Sequence, residues 1–169
     1  INGMKQGDYL LIGFGHNDEK TEKERYTSPV GDYMTEGTFA NSLYVNYIRK
    51  ARNAGCYPIL CTPIVRRSAS GEWKATELAV RELGKAVGTP VIDMTQLTRD
   101  EYEKLGSDNT IYLHAWPSNN KLSVDNTHTN IWGARVNAYM IMSAVKELNI
   151  SGLSENVVNI DNNPLDYKE

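Results

Sequence analysis

Residues 7–18 read GDYLLIGFGHND and join an apolar run to a polar turn. The apolar part, residues 9–14, is short and is bounded by glycine-containing turns. A run of this length between turn residues is typical of a strand buried on both faces. We therefore predict a buried strand at 9–14, which leads at Gly15 into a turn that carries His16 and Asn17.

Downstream of this strand, apolar residues recur alternately at helical and at strand spacing. The first predicted elements are a helix over 39–54 closed by Gly55, a strand at 57–61, a helix over 78–87 closed by Gly88 and a strand at 90–94. A short helix follows, which a Thr98-x-x-Glu101 capping box starts and Gly106 stops. A loop over 107–129 then leads to a long helix over 131–148. Because a crossover helix commonly joins parallel strands, this order predicts an α/β fold with a parallel sheet.

Length and charge limit the classes of partner. The 169 residues correspond to one domain, which we assign to residues 1–150, followed by a polar tail at 151–169. The formal charge of -3 provides no basic excess for a phosphate backbone, so we expect no nucleic-acid partner. No apolar run approaches the ~18 residues of a membrane helix, so we expect no membrane partner. The pair Arg66-Arg67 is interpreted as a solvated loop and left outside the site.

The two cysteines lie in the predicted strand at 57–61 and just before it. Five residues of extended chain separate the Cα atoms of Cys56 and Cys61 by roughly 16 Å. A disulfide spans at most ~7 Å between Cα atoms. We predict two buried thiols, which leaves the redox compartment open.

Asp125 and His128 form an Asp-x-x-His pattern just before the last predicted helix. In a turn, this spacing can place the carboxylate against one imidazole nitrogen and leave the other free, which is the arrangement of a general base. A loop aspartate that caps the helix beside a surface histidine explains the same pattern.

Asn17 and its neighbours follow the first predicted strand, and ligands of parallel sheets sit at the carboxyl ends of strands. The Asn17 amide could donate to a developing oxyanion, although an ordinary Asn/Asp turn explains the residues equally well. Asp18 fits the turn better than the chemistry. This cluster and the Asp125–His128 pair could meet above the sheet.

These patterns carry a family resemblance. Residues 7–18 resemble the third sequence block of SGNH (GDSL-type) serine hydrolases, and Asp125-x-x-His128 resembles the fifth. The segments GCYPILCTP at 55–63, Arg66-Arg67 and PVIDMT at 90–95 are similar in order and spacing to the rhamnogalacturonan acetylesterase branch. The resemblance covers roughly residues 5–148.

The resemblance implies a three-layer α/β/α, flavodoxin-like fold and ester hydrolysis through a serine acyl-enzyme, with acetyl groups on pectic or related polysaccharides as substrate. It implies that His128 is the general base, Asp125 its orienting acid and Asn17 an oxyanion donor, while Gly15 and His16 belong to the oxyanion and substrate pocket. It implies no metal or organic cofactor, and it suggests a secreted or cell-surface protein.

Two tryptophans lie near the predicted site in sequence. Trp116, in the long loop before the Asp-His pair, is either a stacking platform for a sugar or a contact that anchors the loop. Trp132 follows His128 closely, and we expect it to pack under the site.

The 169 residues contain no Gly-Asp-Ser block, which supplies the nucleophile in this family, and no Gly-x-Ser-x-Gly elbow. We therefore expect a fragment whose sheet is incomplete because the first strands are missing, and which is inactive alone. Its expected partners are an acetylated carbohydrate and either the missing N-terminal segment or a second copy, because an uncovered apolar strand invites pairing.

Two alternatives remain open. The absent nucleophile favours a noncatalytic carbohydrate-binding or interaction module on the same scaffold. A metal-dependent hydrolase would use the nitrogen and oxygen ligands of His16, Asp18, Asp125 and His128.

Overall fold

The structure of the chain is a computed structural model that describes residues 2–67, 74–116 and 123–158. Contacts group these residues into two compact units. The first unit comprises residues 2–63 and 74–93, and the second comprises 64–67, 94–116 and 123–158. The predicted boundary at residue 150 stays a prediction, and residues 159–169 of the predicted tail lie outside the described ranges.

The first unit is built on a parallel sheet of three strands in the order β1-β2-β3. The strands are β1 (Tyr9–Gly13), β2 (Tyr57–Cys61) and β3 (Val91–Ile92). In the register, Tyr9 lies opposite Tyr57 and Leu60 lies opposite Val91. The predicted α/β class with a parallel sheet is confirmed.

Helices connect the strands of this sheet. Helix α1 (Phe39–Leu43), a π-helical segment (Tyr44–Ile48) and helix α2 (Arg49–Asn53) follow one another without a gap, and helix α3 (Ala75–Val87) precedes β3. The Thr38 side chain accepts from Asn41 N–H and caps the first turn. Gly88 ends α3 in the left-handed conformation, with φ of 60°. Both predicted helices are confirmed, as are their glycine stops.

The core of the first unit lies between its sheet and its helices. Its buried residues are Ile12, Phe39, Ala40, Leu43, Ile48, Leu60, Ala79, Val80 and Leu83. The prediction that the first strand is buried on both faces is wrong, because Leu11 is 41% exposed and Phe14 is 45% exposed. Within the described residues, β2 alone pairs with β1, so β1 is an edge strand.

The second unit is helical. It contains helix α4 (Met94–Thr110), a 3-10 turn (Ile111–Leu113), helix α5 (Ile131–Glu147) and a second 3-10 turn (Ser154–Asn156). Helix α4 is interrupted at Gly106, where φ is 73° and ψ is 161°. Asn130 caps α5 by accepting Gly133 N–H at 3.0 Å. The long final helix is confirmed.

Three predictions in the middle of the chain are wrong in their boundaries. Strand β3 ends at Ile92 and α4 begins at Met94, so the strand predicted at 90–94 is shorter. Thr98 does not start a helix: it lies within α4, and its hydroxyl donates to Met94 O at 2.6 Å. Residues 107–113 are helical turns rather than loop, and His114 bridges to Thr129.

Both cysteines are free and buried, as predicted. Burial raises the pKa of the Cys61 thiol to about 11. Among the residues that the structure describes, no helix is both long and apolar enough to cross a bilayer.

Candidate active site

Asp125 and His128 form a hydrogen-bonded pair in the second unit. The distance from Asp125 Oδ2 to His128 Nδ1 is 2.7 Å. The His128 side chain is 77% exposed, and its Nε2 atom has no hydrogen-bond partner within the described part of the chain. With the proton on Nδ1 donated to the carboxylate, Nε2 offers a lone pair to an incoming hydroxyl.

The carboxylate of Asp125 is also bonded within its own turn. Its Oδ1 accepts Thr127 N–H at 2.7 Å and His128 N–H at 2.9 Å. These bonds, led by the one from the His128 backbone and supported by the His128 ring, lower the pKa of Asp125 to about 2. The group is therefore an anion at neutral pH and holds the imidazole by one fixed oxygen.

A neighbouring segment holds both ends of this turn. Ala115 N–H donates to His128 O at 2.8 Å, and Ala115 O accepts Asp125 N–H at 2.8 Å. The Asn130 side-chain amide donates to Tyr112 O at 2.7 Å. The pair is therefore carried by a turn that is bonded to the chain on both sides.

Close packing seats α5 beside this turn. A Cβ on Gly133 would lie 2.2 Å from Leu113 O and 2.8 Å from Thr129 Cβ. Only glycine fits at this position, which explains the glycine five residues after His128. His114, in the same segment, is fully buried and bonds through Nδ1 to Thr110 O at 2.9 Å.

Arg67 contacts the turn from a distant part of the sequence. Its Nε donates to Asn126 Oδ1 at 2.9 Å, and its backbone N–H donates to Asn126 O at 2.9 Å. Arg67 lies in a partly exposed turn, which agrees with the predicted loop, but its side chain is bonded to Asn126. Sequence reasoning left Arg67 outside the site. The signal in the sequence was its place in the segment that resembles the acetylesterase branch.

The turn after β1 lies in the first unit and carries Gly15, His16 and Asn17. Gly15 has φ of 142°, and a Cβ there would lie 2.5 Å from Pro63 Cγ, so this position requires glycine. His16 is half-buried. Asn17 is exposed, and its side-chain amide has no partner within residues 2–67, 74–116 and 123–158. Asn17 is therefore available to a ligand.

Two carboxylates that follow strands of this sheet in the sequence, Asp93 and Glu19, form hydrogen-bond networks within the first unit. Asp93, directly after β3, accepts two hydrogen bonds from Arg81 at 2.7 and 2.8 Å and one from Thr62 at 3.0 Å. Glu19 accepts from Lys74 at 2.7 Å and from Thr76 at 2.8 Å. The sequence analysis missed both networks, whose members are brought together by the fold.

The two tryptophans are both exposed. Trp116 is 42% exposed and directly follows Ala115, the residue bonded to both ends of the turn. Trp132 is 48% exposed, with the Arg135 guanidinium 5.0 Å from its ring centroid. The prediction that Trp132 packs under the site is therefore wrong.

Metal-ligating side chains do not cluster in the described ranges. There, no group of three or more His, Cys, Asp or Glu side chains could hold a metal ion. The alternative of a metal-dependent hydrolase gains no support from the structure.

Comparisons with known proteins identify the relatives of this chain. No family model matches it. Rhamnogalacturonan acetylesterase RhgT of Bacillus subtilis is 30% identical over an alignment of 159 residues, which covers 87% of this chain. The chain is related to rhamnogalacturonan acetylesterases. The probable rhamnogalacturonan acetylesterase YesY of the same organism is 26% identical over 94% of this chain, so the resemblance stated from the sequence is confirmed.

The fold has a solved counterpart. The crystal structure of protein YxiM from Bacillus subtilis matches 88% of this chain with a TM-score of 0.70 and 22% identity. The chain spans 64% of the length of RhgT, 70% of YesY and 39% of the YxiM chain.

Proposed function

We propose that this chain contributes the general base and an oxyanion donor to a carbohydrate esterase that removes acetyl groups from pectic or related polysaccharides. The observation that carries the proposal is the 2.7 Å bond between Asp125 and His128, which leaves the other imidazole nitrogen open to solvent. The names of the two acetylesterase relatives supply the substrate class.

In the proposed reaction, His128 Nε2 takes the proton of a serine hydroxyl while the serine oxygen attacks the acetyl carbonyl carbon. Asp125 stabilises the imidazolium that forms, and the Asn17 amide donates to the oxyanion. Collapse breaks the bond to the sugar oxygen, which receives the proton from His128. Water, activated by the same imidazole, then hydrolyses the acetyl-serine to acetate and free serine.

The nucleophile is the part that these residues do not supply, because no Gly-Asp-Ser occurs among the 169 residues. We propose that a separate segment with this block completes the site, and that the chain alone hydrolyses acetyl esters only slightly. A base and an oxyanion donor without a nucleophile retain little catalysis, since triad members act as a unit.

A noncatalytic carbohydrate-binding role is the second candidate. Exposed Trp116, next to the segment that holds the Asp125–His128 turn, favours it, because a flat aromatic face suits a sugar ring.

Hydrolysis of p-nitrophenyl acetate tests the proposal. The chain alone and the chain fused behind a segment with a Gly-Asp-Ser block are compared, each with a His128→Ala variant and with Lys50→Ala as an exposed control. We expect turnover in the fused form alone, with loss of nearly all of it in His128→Ala. Equal turnover in the two His128 forms would contradict the proposed base.

Two further variants of the fused form test the oxyanion donor and the sugar contact separately. Asn17→Ala should lower kcat by roughly 10²–10³-fold, the usual cost of an oxyanion donor. Trp116→Ala should weaken hydrolysis of acetylated pectic oligosaccharides while p-nitrophenyl acetate is hydrolysed as before. Binding of these oligosaccharides with no hydrolysis in either form would instead select the noncatalytic role.

A further inference from the structure

Arg67 holds one of the two residues that lie between Asp125 and His128. Both Arg67 Nε and Arg67 N–H donate to Asn126, at 2.9 Å each, one to the side-chain oxygen and one to the backbone oxygen. The Ala115 bonds hold the two ends of the turn, whereas those from Arg67 hold its middle.

The backbone segment that carries Arg67 is itself held in place. Val65 is buried, and its N–H donates at 3.0 Å to the hydroxyl of Thr98, a buried residue of α4. The Arg67 guanidinium also donates through Nη1 to Ser107 O at 3.3 Å. Arg67 therefore connects α4 to the turn, because its guanidinium bonds Ser107 of α4 while its Nε and its backbone N–H bond Asn126.

From this arrangement we propose that Arg67 is a positioning residue that sets the orientation of the Asp125–His128 pair. The catalytic meaning of this role rests on the proposed function, but the orientation itself is a property of the chain that can be measured without turnover.

Arg67 acts through shape rather than through its charge. Its hydrogen bonds go to Asn126 and Ser107, while the Asp125 carboxylate is bonded by Thr127 and His128 of its own turn. Lysine would keep the positive charge but lacks the planar fork that places Nε against Asn126. Arg67→Lys should therefore behave like Arg67→Met.

The test uses NMR on the intact 169-residue chain. Titration of the Asp125 carboxyl carbon gives its pKa, and the Nδ1 proton signal of His128 reports the bond between the pair. We expect the Asp125 pKa to rise from about 2 toward its ordinary 3.8 in Arg67→Met, Arg67→Lys and Asn126→Ala, with weakening of the Nδ1 proton signal. Arg49→Met, on the exposed surface of α2, should leave both unchanged.

An unchanged Asp125 pKa and Nδ1 proton in folded Arg67→Met and Asn126→Ala would overturn the proposal, as would full rescue by lysine. If Arg67→Met fails to fold, Asn126→Ala removes the same side-chain bond from an exposed residue and decides alone. Because neither readout depends on ester hydrolysis, failure of the proposed esterase and failure of this positioning role give different results.

Discussion

Asp125 takes three hydrogen bonds from two residues that follow it within three positions, so its chemistry is encoded locally. One oxygen accepts two backbone N–H groups and the other accepts the His128 ring. A local pattern of this kind can be read from the sequence, and the predicted pairing of Asp125 with His128 is present. The partners of Arg67 could not be read, since Asn126 lies 59 positions away and only the fold joins them.

The pKa of Asp125 predicts how acid affects this turn. Because its pKa is lower in the folded chain than the ordinary 3.8, the carboxylate stabilises the fold above pH ~4, and this contribution is lost as pH falls through about 2. Asp125→Asn should lower the free energy of unfolding slightly at neutral pH, since solvent screens the exposed pair.

Urea unfolding from neutral pH down to the lowest pH at which the chain stays folded measures this effect. The difference in the free energy of unfolding between the original chain and Asp125→Asn should shrink as the pH approaches 2. Asp108→Asn, which changes an exposed carboxylate of the same unit, is the control. A difference that is constant with pH would rule out the ionised carboxylate as its source.

The first turn of helix α5 packs closely against the backbone of the preceding segment at Gly133. Gly133→Ala would force a methyl group toward Leu113 O, a backbone atom that cannot rotate away. We expect a loss of about 1–3 kcal/mol in the free energy of unfolding, as is usual for overpacking. Chemical denaturation measures it, with the exposed neighbour substitution Ala134→Ser as control. Equal stability of the two variants would show that α5 can shift to make room.

At the scale of elements, apolar spacing predicts long helices better than short strands. The glycine-stopped helix α3 and the long helix α5 match their predicted positions closely. The misplaced boundary at Met94 has a physical cause: Met94 is buried like the strand residue Ile92, and a short apolar run does not distinguish a strand from the start of a helix. The Thr98-x-x-Glu101 pattern predicted a helix start that is not there. A threonine hydroxyl can cap a helix or bond back to the carbonyl four residues earlier, and the Thr98 hydroxyl does the latter, to Met94 O.

At the scale of the whole molecule, the exposed edge of the sheet predicts association. Strand β1 pairs on one side within the described residues, and Leu11 on this strand is exposed. We expect the isolated chain to self-associate as its concentration rises, because an apolar unpaired edge accepts another strand. Leu11→Lys should shift the population toward monomer.

Sedimentation velocity over a range of concentrations measures this population. Leu78→Lys is the matched control, because Leu78 is also exposed but lies on helix α3 rather than on the sheet edge. A monomer of 19.0 kDa at every concentration in the original chain would refute the expected association. An equal effect of both variants would assign it to general hydrophobicity.

The two buried thiols can report on unfolding of the chain. Cys56 and Cys61 lie at the middle strand of the first unit, and the high pKa of Cys61 keeps its sulfur as an unreactive thiol. A thiol reagent should therefore label Cys61 only in molecules whose sheet has opened. In a Trp73→Phe variant, which removes the third tryptophan of the chain, the fluorescence of Trp116 and Trp132 follows the second unit. Two signals from one polypeptide thus show whether its two units unfold together or one after the other.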